Sequence, residues 1–174
     1  MASESLWEFQ NAVAFPCPGA KVAVPARWLP PPKDWVKVNF DGAIFQKEKL
    51  AGLGCIIQND EGLVMAAFTQ CIPLPTSVEI VEVLAVRSAI GFARELCLSQ
   101  VILEGDSDTI IRALSGGGFD SSSFGHIIRD IKLLSSVFQN LSFCHTRRQG
   151  NSVAHRHIAE PIEPSVLQCL LYLR

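Results

Sequence analysis

Polar and apolar positions alternate in VKVNF. Val36, Val38 and Phe40 fall on one face and Lys37 and Asn39 on the other, the two-residue period of a strand that ends at Asp41. GLGCIIQ and LVMAAFTQ flank NDEG, whose acidic residues and closing glycine supply turn chemistry, so 52–70 reads as a β-hairpin. Pro73 and Pro75 make 72–76 a loop. From Ser77 to Leu96 the positions Val81, Leu84, Ala85, Ser88 and Phe92 recur at helical spacing, with Ser77 or Thr76 as the cap. Gln100 to Glu104 is a short apolar strand, and Ser107 to Leu114 a short helix stopped by Gly116, Gly117 and Gly118.

Ser122 or Ser123 opens another helix, which buries Phe124, Ile127, Ile128, Ile131, Leu134 and Phe138. A fifth strand, Leu141 to Arg147, leads through a turn at Gln149-Gly150 to a last helix, Ser152 to Ala159, ended by Pro161 and Pro164. The order βββαβααβα predicts an α/β fold: a five-stranded mixed sheet with three antiparallel strands, then parallel βα units, and helices on both faces.

Flanking this domain, expected over 34–160, are a leader and a tail. Residues 1–33 read as a flexible leader ending in the stiff stretch WLPPPK, either docked on the domain edge through Trp28 and Trp35 or serving as a tether to another segment. The apolar tail within 161–174 has no evident place in the fold.

Composition narrows the function classes. A chain of 174 residues with 48% apolar content supports one domain with a sizeable core. Its net charge of −2 counts mildly against strong non-specific binding to nucleic acid, so any such contact must come from a local basic segment or from metal ions. That segment is HTRRQGNSVAHRH (145–157), which holds Arg147, Arg148 and Arg156 and no acid. It reads either as a phosphate-contacting rim or as a solvated turn. The six cysteines have no zinc-like spacing and read as buried free thiols in a reducing compartment. The N-terminus lacks a basic region followed by an apolar one, and no run of about 18 apolar residues exists. An intracellular protein, cytoplasmic or nuclear and outside the membrane, is expected.

Three acids stand where such a core would converge them. Asp41 follows the first strand, Glu82 lies in the long helix and Asp106 follows the fourth strand. Each has a plain alternative: a turn aspartate before Gly42, a solvated helix glutamate, and a first-turn acid favoured by the helix dipole. Glu79 and Asp108 compete for the second and third places. Carboxylates that meet without a neutralising partner hold a divalent cation, and two such ions about 4 Å apart can drive phosphodiester hydrolysis. An aspartyl-phosphate hydrolase is disfavoured, because the position two residues before Asp41 is Asn39.

WVKVNFDGA, AGLGCIIQNDEGLVMAA, VEIVEVLAVRSAI, VILEGDSDTII and HTRRQGNSVAH occur in that order over about 28–160. Together they resemble type-1 ribonuclease H domains, and more narrowly the plant reverse-transcriptase-like group of LINE retroelements. The resemblance selects Glu82 over Glu79 through EVLA and Asp106 over Asp108 through GDS. It implies that Asp41, Glu82 and Asp106 bind Mg²⁺ or Mn²⁺, two ions with substrate present, and that His155 fills a fourth catalytic position usually held by Asp.

The implied activity is hydrolysis of the RNA strand of an RNA–DNA hybrid by a monomer, once part of a longer polyprotein. Arg147, Arg148 and Asn151 are expected to contact the nucleic acid. A loop histidine that assists turnover in bacterial-type enzymes has no counterpart around Arg148 and Gln149, and no basic insertion separates the helices at 107–114 and 123–139, so weak hybrid binding is expected. The alternative is a catalytically impaired, retroelement-derived binding or interaction module, motivated by the early prolines after the last helix.

Overall fold

The computed structural model describes residues 28–116, 122–158 and 167–171. The strands are β1 (Val36–Phe45), β2 (Leu50–Gln58), β3 (Val64–Pro73), β4 (Gln100–Gly105), β5 (Asn140–His145) and β6 (Leu167–Leu171). The helices are α1 (Val78–Glu95), α2 (Asp108–Ser115), α3 (Gly125–Ser135) and α4 (Ser152–His157). The sheet order is β5-β4-β1-β2-β3-β6. β1, β4 and β5 run parallel, while β2, β3 and β6 extend the sheet in antiparallel steps. The expected five-stranded mixed sheet is therefore present, with a sixth strand added.

That sixth strand corrects the reading of the tail. Leu167–Leu171 pairs with Ala66–Gln70 of β3, so the apolar run lies along a sheet edge whose N–H and C=O groups need partners. Residues 1–27 of the expected leader, and the rest of the tail, lie outside the described residues.

Helices cover both faces. Asp41 pairs with Gly54, so their side-chain positions share one face, while Gly42 faces the other. A Cβ on Gly42 would sit 2.8 Å from Val81 of α1, and one on Gly54 would collide with Ile158 just after α4. Glycine at these two positions lets a helix approach the sheet from each side. Val38 and Phe40, on the Gly42 side, are fully buried with Val81, Val86 and Ile90 of α1 and Leu103 of β4.

α1 forms where its apolar period predicts. Ser77 caps it by accepting the Ile80 N–H, and its end is a Schellman turn: Cys97 takes φ 54°, its N–H bonds Arg94 O, and Leu98 N–H bonds Ala93 O. Asn59 closes the hairpin by accepting from the N–H groups of Glu61 and Leu63.

Several boundaries move. β1 runs on through Asp41 to Phe45 because β2 pairs with it along that whole length. β3 extends through Pro73, shortening the expected loop. α3 begins at Gly125, after a turn in which the Gly125 N–H bonds Ser122 O. β5 stops at His145, and α4 ends at His157, before either proline.

The thiols divide. Cys55 and Cys71 are buried and outside any disulfide, as expected, whereas Cys97, also outside one, is exposed at its helix end. Cys144, half-buried on edge strand β5, is disulfide-bonded rather than free.

Candidate active site

Register brings the acids together. The parallel β1–β4 pairing ends at Asn39↔Glu104, so two residues further along each strand Asp41 and Asp106 reach the same level where the ladder has stopped. α1 crosses above Gly42 and lowers Glu82 from its second turn. One carboxylate oxygen from each of Asp41, Glu82 and Asp106 lies within 4.8 Å of the others. The competitors go elsewhere. Glu79 is exposed, its pKa lowered by its own backbone N–H and the Ser77 hydroxyl. Asp108 forms an exposed ion pair with Arg112, one turn along α2, at 2.8 Å.

The carboxyls are under electrostatic stress. Asp41 is 4% exposed. Its Oδ1 accepts the Gly42 N–H at 3.0 Å, and its Oδ2 lies 2.8 Å from His155 Nδ1. Burial pushes Asp41 above the ordinary aspartate value, the His155 hydrogen bond opposes this, and the charge of Asp106 adds to the rise. Glu82 is pushed up to about 8, first by burial and then by the charges of Asp41 and Asp106, against a smaller opposing pull from Arg148.

Glu82 Oε2 is buried with no hydrogen-bond partner. A buried, unpartnered oxygen among mutually repelling carboxyls is what a divalent cation relieves, and an all-oxygen donor set suits Mg²⁺ or Mn²⁺. The residues fit such an ion.

His155 adds an imidazole whose tautomer its neighbours dictate. Arg148 Nη2 can only donate, and it approaches His155 Nε2 at 3.5 Å, the outer limit of a hydrogen bond. Nδ1 therefore carries the proton and donates to Asp41. Arg147 and Arg148 are exposed in a loop tied to β4 by Thr146 N–H to Gly105 O at 2.9 Å, and the charge of Arg148 reaches Glu82. Asn151 is placed differently from the expected surface contact. It is 1% exposed and donates from Nδ2 to Phe40 O at 2.8 Å, so burial under β1 removes it from the rim.

The family described as reverse transcriptase-like matches residues 39–159, which contain all of these side chains. The chain belongs to that ribonuclease H-like family. None of the curated proteins matches it in sequence. Among solved structures it is similar to RNase H1 of the halophilic archaeon Halobacterium salinarum NRC-1, at TM-score 0.62 and 21% identity over 68% of this chain and 89% of that one. It is similar to the N-terminal RNase H domain of a Mycobacterium tuberculosis protein, at TM-score 0.64 and 19% identity over 72% and 91%. LC11-RNase H1, solved in complex with an RNA/DNA hybrid, gives TM-score 0.63 and 20% identity over 71% and 94%.

Sequence reasoning missed one group of residues in this reverse transcriptase-like domain. Lys37, Asn39 and Glu104, read as a polar face and a strand end, are buried beside the site. Lys37 Nζ pairs with Glu104 Oε2 at 3.0 Å. The signal was available: a strand with parallel and antiparallel neighbours lies inside the sheet, where both faces are covered. Lys37 and Asn39 also share the face of Asp41 by the two-residue period.

Proposed function

We propose that this domain is a divalent-cation-dependent endonuclease that cleaves the RNA strand of an RNA–DNA hybrid. The observation that carries the reading is the convergence of Asp41, Glu82 and Asp106 within 4.8 Å, with a Glu82 oxygen left unpartnered, on a ribonuclease H-like sheet. These three residues would hold Mg²⁺ or Mn²⁺. When bound, the metal, as two ions with substrate present, supplies an activated water and stabilises charge on the phosphorus and the leaving oxygen.

The chain's own groups do the rest. Asp41 and Asp106 sit just past the last rung of the β1–β4 ladder and Glu82 on a packed helix, so the donor atoms are fixed before substrate arrives. His155, with its proton on Nδ1, leaves Nε2 as the basic nitrogen facing Arg148 and the exposed rim. That nitrogen would take up the proton that the attacking water loses as its oxygen bonds to phosphorus. Arg147 and Arg148 are exposed and would meet backbone phosphates. Recognition rests on hybrid shape and on RNA 2′-hydroxyls rather than on sequence.

The test is incubation with an end-labelled RNA–DNA hybrid in Mg²⁺ or Mn²⁺, beside RNA and DNA duplex controls. Cleavage of the hybrid's RNA that disappears in Asp41→Asn and Asp106→Asn supports the reading. Cleavage that survives both substitutions sinks it.

A further inference from the structure

Trp28 lies outside the family match and well before the first acid, yet it starts a chain of polar contacts that ends on Asp41. An indole N–H can only donate. Trp28 Nε1 donates to Asn39 Oδ1 at 2.9 Å, which turns the Asn39 amide nitrogen inward. That nitrogen donates to Glu104 Oε1 at 2.9 Å and to Asn151 Oδ1 at 3.3 Å. With its oxygen so committed, Asn151 can present only Nδ2 to Phe40 O, at 2.8 Å. Each amide is thus left with a single orientation, fixed by the Trp28 donor at one end and by the Glu104 carboxylate and Phe40 carbonyl, which can only accept, at the other. Asn151 is also the N-cap residue of α4, and its carbonyl accepts the His155 N–H at 3.1 Å, the first bond of that helix. His155 Nδ1 then meets Asp41 Oδ2.

The start of this chain is itself clamped. Lys37 Nζ stands 5.1 Å from the Trp28 ring centroid, donates to Leu29 O at 2.6 Å and pairs with Glu104. The indole also covers Gly62, where an added Cβ would sit 3.4 Å from Trp28 Cζ3. α4 has only six residues and cannot hold its own position by helical cooperativity.

We infer that Trp28 and Asn39 are positioning residues for the candidate active site. Through Asn151 they fix the start of α4 and so set His155 against Asp41, which makes the segment 28–33 a working part of the domain rather than a tether. The catalytic consequence rests on the nuclease reading; the placement of α4 does not.

The experiment uses the full chain and Trp28→Phe, which keeps one aromatic ring beside Lys37 and deletes the N–H together with part of the indole. Two readouts are combined: amide hydrogen exchange at His155, with Ile57 and Val86 as core references, and kcat and KM on the hybrid. The expected result is about tenfold faster exchange at His155 with the references unchanged, and about a tenfold fall in kcat with KM little altered. In a His155→Ala background the same substitution changes kcat less than about twofold, because the route to the site has been cut. Exchange that rises equally in α4 and the core, or kcat losses that simply multiply, overturns the inference. A wild-type chain that leaves the hybrid uncut retires the nuclease reading alone, and the exchange comparison still decides the positioning of α4.

Discussion

His155 Nδ1 lies 2.8 Å from Asp41 Oδ2, although the helix that carries it ends well before the prolines. The anchor is Ile158, fully buried against Gly54 just past the helix end. The early end of α4 thus leaves His155 in contact with Asp41. The contact has a measurable consequence. The His155 hydrogen bond holds the Asp41 pKa down against burial. His155→Ala lets it rise, so Mn²⁺ binding requires a higher pH. A loss of about 10-fold in affinity near neutral pH is expected, by analogy with other partners of ligating carboxylates. Mn²⁺ titration by electron paramagnetic resonance across pH reads this directly.

Glu82 makes the metal-free protein less stable as pH rises. Its carboxyl moves from an ordinary 4.5 when unfolded to about 8 when folded. Between those values the native state holds a proton that the unfolded state has released, so stability falls with increasing pH across that window. Below 4.5 both states are protonated and the contribution vanishes. Glu82→Gln removes the stress. It is expected to stabilise the metal-free chain at pH 8 by on the order of 1–3 kcal/mol, with little effect near pH 4.5. Urea unfolding at the two pH values checks the sign. Added Mg²⁺ is expected to stabilise wild type at pH 8 and to have a much smaller effect on the variant.

How legible these features were in the sequence depends on the range of the interaction that sets them. Ser77 and α1 obey a local period and a local cap, so both were readable. Glu82 was separable from Glu79 only through the resemblance, because the two lie one turn apart on neighbouring faces. Asn151 sits in a basic segment and reads as surface; its burial follows from α4 crossing β1, a contact 111 residues apart in sequence. β6 was unreadable for the same reason: nothing in its own apolar run names β3 as partner. Lys37 was misplaced by applying the alternation of a half-exposed strand to one covered on both faces.

The Lys37–Glu104 pair stabilises the domain only as a pair. The two side chains are 9% and 11% exposed and 3.0 Å apart. Removing one partner leaves the other charge buried, a cost of about 3–5 kcal/mol. Glu104→Leu is therefore expected to lower unfolding free energy by that amount. Lys37→Met combined with Glu104→Leu is expected to cost clearly less than the sum of the two single changes. Chemical denaturation of the four proteins completes the cycle, and simple additivity would show that the ion pair is energetically silent.

β6 covers the edge of the sheet, and its removal exposes a specific stretch. Ala66 to Gln70 of β3 pairs on one side with β2 and on the other with Leu167–Leu171. Truncation after residue 160 leaves one side of that strand without its ladder, and an open, largely apolar edge recruits another strand. The truncated chain is expected to associate as concentration rises, seen by sedimentation velocity, while the full chain keeps a constant sedimentation coefficient. Asp41 is in register with Gly54 of β2, Thr69 of β3 and Gln168 of β6, but β2 and β3 stand between it and the tail. Mn²⁺ affinity per chain is therefore expected to stay within about twofold of the full-length value, since sites without shared contacts act independently. Association accompanied by loss of metal binding would instead mean that the tail supports the site through the sheet.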